Sequence, residues 1–168
     1  MSPSSSAPTR GGGMDWSDQE DDLLDLDRQV CFPLYAASNL LTRLYRPVLA
    51  EIGLSYPQYL VMLVLWKQTP QTVGSLGDRL NLDSGTLTPL LKRMELAGLV
   101  TRTRDAEDER RVLIELTPEG RALREAARNV PATLAAGLDM QPDDVIELRT
   151  RVQALVAALR GPARANDR

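Results

Sequence analysis

Histidine is absent from this 168-residue chain and cysteine occurs once, as Cys31. Those two shortages exclude several classes of chemistry. Soft-metal sites gather several Cys and His ligands, so no metal site and no cofactor is expected. A nucleophilic triad needs a base of suitable pKa, which this chain does not offer. One cysteine makes no internal disulfide, and a free thiol points to the cytoplasm. No apolar run reaches about 18 residues, the length a membrane span requires, so no membrane partner is expected. There is no internal repeat. Residues 1 to 13 are rich in Ser, Pro and Gly and carry no apolar segment of signal-peptide type, which predicts disorder.

Basic charge looks scarce at first, because the net charge is −3. It is unevenly spread. Residues 15 to 27 hold seven acids and no base, and without residues 1 to 27 the chain has 19 basic and 16 acidic residues, a balance of +3. Local charge decides what a surface attracts. The expected organisation is a tail over residues 1–22, a single domain over 23–160 and a flexible tail over 161–168.

Hydrophobic periodicity makes that domain mainly α with a small β wing. A first helix runs from 31 to about 52 and ends at Gly53. Pro57 opens a second, apolar nearly all round and therefore expected to be buried. A short helix from Thr72 to Leu80, a turn at Asn81-Leu82-Asp83 and a helix from Ser84 to Leu96 follow, the last with Leu87, Leu90, Leu91 and Met94 on one stripe and Asp83 or Ser84 as its cap. Leu99–Arg104 and Arg111–Leu116 read as strands joined by a charged loop. Pro118 starts a helix that Pro131 interrupts. A last helix from about Asp143 sets Val145, Leu148, Val152, Leu155, Val156 and Leu159 on one stripe.

Two helices across a three-residue turn, followed by a charged hairpin, form a winged helix-turn-helix over about 57–116. Its second helix enters the major groove of double-stranded DNA. Ser84, Thr86, Thr88, Lys92 and Arg93 lie off the apolar stripe and suit phosphates or base edges. Pro89 is expected to bend this helix locally. Arg104, Asp108, Arg110 and Arg111 belong to the wing. Arg110, at its tip, suits a narrow A·T-rich minor groove, with Asp108 expected to hold it straight.

The single thiol and the tyrosines form a second pattern. Tyr35, Tyr45, Tyr56 and Tyr59 all follow Cys31 within 28 residues. Proline fits a helix in its first turn, so Pro33 predicts a helix start near Cys31. There the aligned peptide dipoles amount to about half a positive charge, which favours the reactive thiolate. Tyr35, four residues on, shares that face. On a straight helix Tyr45 lies about 21 Å further along the axis, too far to touch its own chain's thiol but within reach of a second subunit's across a two-fold axis.

The run from Leu82 to Arg93, with Gly98-Leu99-Val100 and Asp108-Glu109-Arg110, resembles the multiple-antibiotic-resistance (MarR) regulators. Cys31-Phe32-Pro33-Leu34-Tyr35-Ala36-Ala37, Leu44-Tyr45-Arg46-Pro47 and Tyr56-Pro57-Gln58-Tyr59-Leu60 resemble the branch that senses organic hydroperoxides. The resemblance covers about residues 24 to 160. It implies a homodimeric repressor that is not an enzyme, dimerised through helices at about 28–53 and 118–160, with Cys31 as the peroxide-reactive thiol and Tyr35 and Tyr45 as its hydrogen-bond partners. The expected operator is an A·T-rich inverted repeat. Some members carry a second cysteine where this chain reads Leu134-Ala135-Ala136-Gly137-Leu138, so here the sulfenic acid would condense with a low-molecular-weight thiol to a mixed disulfide, or oxidise further to the irreversible sulfinate. Two alternatives stand beside this reading. A repressor of the same family would instead answer to a small phenolic or apolar ligand in the dimer cleft. A thiol peroxidase would place Thr or Ser three residues before its cysteine, where this chain has Arg28.

Overall fold

The computed structural model describes residues 24–161. Contacts divide the chain into one unit that ends at Leu40 and another that begins at Leu41. The first holds a 3-10 turn, Leu26–Arg28, and the opening residues of helix α1 (Cys31–Glu51). Helix α1 begins at Cys31 itself, so Pro33 falls in the first turn, where proline is tolerated.

The second unit holds the rest of α1 and then α2 (Tyr56–Lys67), β1 (Gln71–Thr72), α3 (Val73–Leu80), α4 (Ser84–Leu96), β2 (Val100–Arg104), β3 (Val112–Leu116), α5 (Pro118–Ala126), α6 (Val130–Gly137) and α7 (Pro142–Arg160). The sheet order is β1-β3-β2, all antiparallel, with Val100 opposite Leu116 and Arg104 opposite Val112. Helix starts follow local side-chain chemistry. Thr72 Oγ1 accepts from Ser75 N–H at 3.0 Å, Asp83 Oδ1 from Thr86 N–H at 2.7 Å and Thr117 Oγ1 from Gly120 N–H at 2.9 Å. Asn81, at φ 55°, ends α3 in the left-handed region, which asparagine tolerates.

The core of this unit joins Leu49 of α1, Tyr59, Val61, Met62 and Leu65 of α2, Leu76 of α3, Leu87, Leu90, Leu91 and Met94 of α4, and Val100, Ile114 and Leu116 of the sheet. Trp66 Nε1 donates to the Gly120 carbonyl at 2.8 Å and fastens α5 to α2. Gly120 itself sits so close to β2 that a Cβ there would collide with the Leu99 carbonyl oxygen.

Three expectations need correction. The pair Gln71–Thr72 forms a third strand against Ile114 and Leu113, too short to show alternation in sequence. The break assigned to Pro131 lies before it: α5 stops at Ala126, a 3-10 turn covers Ala127–Asn129, and α6 restarts with the proline in its first turn. Helix α2 is not buried all round, because Leu63 is 44% exposed. The tails expected at 1–22 and 161–168 lie, apart from Gly161, outside the described residues. No single helix among the described residues is long and apolar enough to cross a membrane.

Candidate nucleic-acid interface and redox thiol

Helix α4 separates its two faces cleanly. Leu87, Leu90, Leu91 and Met94 are buried, while Ser84, Thr86, Pro89, Lys92 and Arg93 are exposed and Thr88 is half-buried. The core therefore fixes α4 in rotation and turns its polar residues outward. Asp83 organises the helix entrance: the Thr86 hydroxyl also donates to Asp83 Oδ2, at 3.0 Å. The backbone N–H of Thr86, and after it that hydroxyl, hold the Asp83 carboxyl below the usual carboxylate range. Thr86 thus has a capping role as well as an outward position, which its residue type alone did not reveal.

The wing loop is stapled by its own carboxylates. Asp105 N–H donates to the Arg111 carbonyl at 3.0 Å and Arg111 N–H to the Asp108 carbonyl at 2.9 Å. Arg111 Nε lies 3.3 Å from Asp105 and 3.4 Å from Asp108. This corrects the reading of Asp108, whose side chain accepts the Arg110 backbone N–H at 3.1 Å and pairs with the Arg111 guanidinium, not with that of Arg110. Arg111 and Asp108 shape the loop; Arg110 and Arg104 stay exposed at its tip and stem. Sequence reasoning missed Arg102, which reaches from β2 to Glu95 in the last turn of α4 at 3.5 Å and joins helix to wing. No local spacing rule flags a pair that meets only across two elements.

Cys31, the first residue of α1, is a free, exposed thiol, and Tyr35 is 68% exposed. In the second unit Tyr45 packs on Tyr56, with ring centroids 4.7 Å apart, and on Tyr59 at 5.9 Å. Burial first, then the neighbouring Tyr56 and Tyr59, pushes the Tyr45 phenol up to about 12. Burial also raises Tyr56 and Tyr59. At neutral pH all three are protonated and able to donate a hydrogen bond. The crowding of tyrosines in the sequence signalled such a group, but Tyr56 and Tyr59 had no assigned part in it. Among the described residues no group of three metal-ligating side chains occurs.

Residues 43–126 match the family model described as transcriptional regulator SarA/Rot. The chain is 45% identical over 138 residues to the organic hydroperoxide resistance transcriptional regulator of Bacillus subtilis, covering 82% of this chain and 94% of that one. The chain belongs to the MarR family. Its branch within that family is the organic-hydroperoxide regulators, a class of transcriptional regulators and not of enzymes. It is also 50% identical over 124 residues to the regulator TtmR of Methylorubrum extorquens, 74% of this chain and 64% of that one. Among solved structures, reduced AbfR bound to DNA matches this MarR-family chain with a TM-score of 0.70 at 38% identity, covering 80% of this chain and 92% of that one. AbfR, from Staphylococcus epidermidis, is also known overoxidised and bound to DNA and in a disulfide-formed state.

Proposed function

We propose that this regulator is a cytoplasmic, homodimeric repressor that binds an A·T-rich inverted repeat and releases it when an organic hydroperoxide oxidises Cys31. The observation that carries the reading is the exposed lone thiol at the first residue of α1, in a chain whose winged helix presents a polar α4 face. Ser84, Thr86, Thr88, Pro89, Lys92 and Arg93 face the major groove. Arg104 and Arg110 reach backbone and minor groove, on a wing shaped by Asp108 and Arg111. The domain is residues 23–160, with α1 and α5 to α7 as the dimerisation helices. Their exposed apolar side chains, among them Leu148 and Leu159, support a second copy as the surface that covers them.

The chemistry balances in two steps. The Cys31 thiolate sulfur attacks the terminal peroxide oxygen, the O–O bond breaks, the alkoxide leaves and takes a proton as alcohol, and the sulfur, two electrons poorer, becomes a sulfenic acid. A low-molecular-weight thiol then attacks that sulfur, forming an S–S bond and releasing water. Tyr35 and the Tyr45 of the second subunit donate hydrogen bonds to the reduced sulfur, and a bulky mixed disulfide displaces them. Two charge-assisted bonds at roughly 1.5 to 3 kcal/mol each match the ~3 kcal/mol that a 100-fold loss of operator affinity requires. The DNA-bound structure of overoxidised AbfR favours this need for bulk beyond added oxygen. The test is Cys31→Ser in a gel shift with the promoter of an adjacent peroxidase gene. Operator binding persists and cumene hydroperoxide with thiol no longer releases it; release from that variant would refute the site.

A further inference from the structure

Helix α2 carries a second apolar face that the core covers only in part. Tyr59, Val61, Met62 and Leu65 are buried, but Leu60, Leu63, Val64 and Lys67 follow one another at i, i+3, i+4 and i+7 and line a groove of about 460 Å³ against α3. Arg79 and Leu80 form its other wall. Its lining also holds a polar network: Ser75 Oγ donates to Gln71 Oε1 at 2.6 Å, and Gln71 Nε2 to the Gln68 carbonyl at 3.2 Å. Lys67 and Arg79 are both exposed, and neither meets a carboxylate among the described residues. An apolar floor in this size range with a few convergent polar groups is the usual form of a small-molecule site. Two cations over aliphatic side chains select an anion with an apolar body. Helix α3 also leads through Asn81 directly into α4, so an occupant wedged between α2 and α3 bears on the DNA-reading helix.

We propose that the groove between α2 and α3 binds an amphipathic monocarboxylate, its alkyl chain on Leu60, Leu63, Val64 and Leu80 and its carboxylate between Lys67 and Arg79, as an input to DNA binding separate from Cys31. The site uses no residue of the thiol chemistry, so it stands or falls independently of the redox reading. Calorimetry on the reduced full-length protein tests it with decanoate, which cannot oxidise a thiol, and with decanol. Decanoate binds at least 10-fold tighter than decanol. The double variant Lys67→Met, Arg79→Met loses that preference, and Leu63→Glu, which sets a carboxylate on the groove floor, abolishes decanoate binding while the circular dichroism spectrum stays that of the parent. Decanoate shifts the operator affinity of the parent and not of the double variant. No binding up to millimolar decanoate, equal affinity for decanoate and decanol, or decanoate affinity untouched by the three substitutions would each overturn the proposal. A Leu63→Glu variant that changes the oligomeric state would assign the apolar face to a second copy of the chain instead.

Discussion

The DNA-reading part of the chain and the C-terminal helix solve the same problem in opposite ways. Helices α2 to α4 and the sheet bury Met62, Leu76, Leu87, Leu91, Met94 and Ile114 completely against one another. Helix α7 has a comparable apolar stripe, yet none of its residues is buried: Leu148 is 49% exposed and Leu159 77%. Propensity does not separate the two, since both form regular helices. The difference is how far each stripe is covered within one chain, and it teaches that the reading head is a finished unit while the α7 stripe stays open to solvent.

The largest effect should come from breaking the dimer interface proposed for that stripe. Leu148→Glu with Val156→Glu places charge on the exposed stripe, and we expect monomers by sedimentation and a loss of operator affinity of about 100-fold or more, near 3 kcal/mol, without a change in the folding of the reading head. Unchanged affinity would mean that α7 contributes nothing the reading head lacks. Gly120→Ala strikes the finished unit. Its Cβ meets the Leu99 carbonyl, which backbone cannot yield cheaply, and thermal or urea unfolding should show a loss of about 2–3 kcal/mol.

Within the reading head, two cations should behave differently. Arg110→Ala should weaken binding by about 1–2 kcal/mol and most on operators with A·T-rich flanks, whereas Lys92→Ala should weaken all sequences alike and lower the salt slope by about one. Equal losses for both variants on flank-scrambled operators would remove the minor-groove assignment. The smallest effect belongs to the tyrosine cluster. A folded-state pKa raised from 10.0 to about 12 contributes stability that is complete below pH 10 and is lost as the pH rises through about 12. Tyr45→Phe should flatten that loss in alkaline unfolding curves and change stability at neutral pH by less than about 1 kcal/mol.

Periodicity made α4 legible, because four apolar residues at helical spacing and a capping Asp83 agree with one another. The same reasoning located the cysteine at a helix start from Pro33. It missed β1, whose two residues become a strand only by pairing with β3, a partner about 40 residues away. It saw the charges of the wing but matched Asp108 with the wrong neighbour, since a tight loop turns the Arg110 backbone, not its guanidinium, toward the carboxylate. The double duty of Thr86 and the link from Arg102 to Glu95 were equally hidden, because both depend on side-chain reach across a turn or between elements.

The central claim is that operator release follows from a bulky adduct on Cys31 and not from oxidation alone. It is tested most directly by following DNA release and intact mass together after a hydroperoxide pulse, with and without a low-molecular-weight thiol. The account predicts rapid release only when the thiol is present, reversal by dithiothreitol, one thiol adduct per chain and no covalent dimer. Rapid, fully reversible release with hydroperoxide alone, accompanied by a mass gain of a single oxygen, would contradict it.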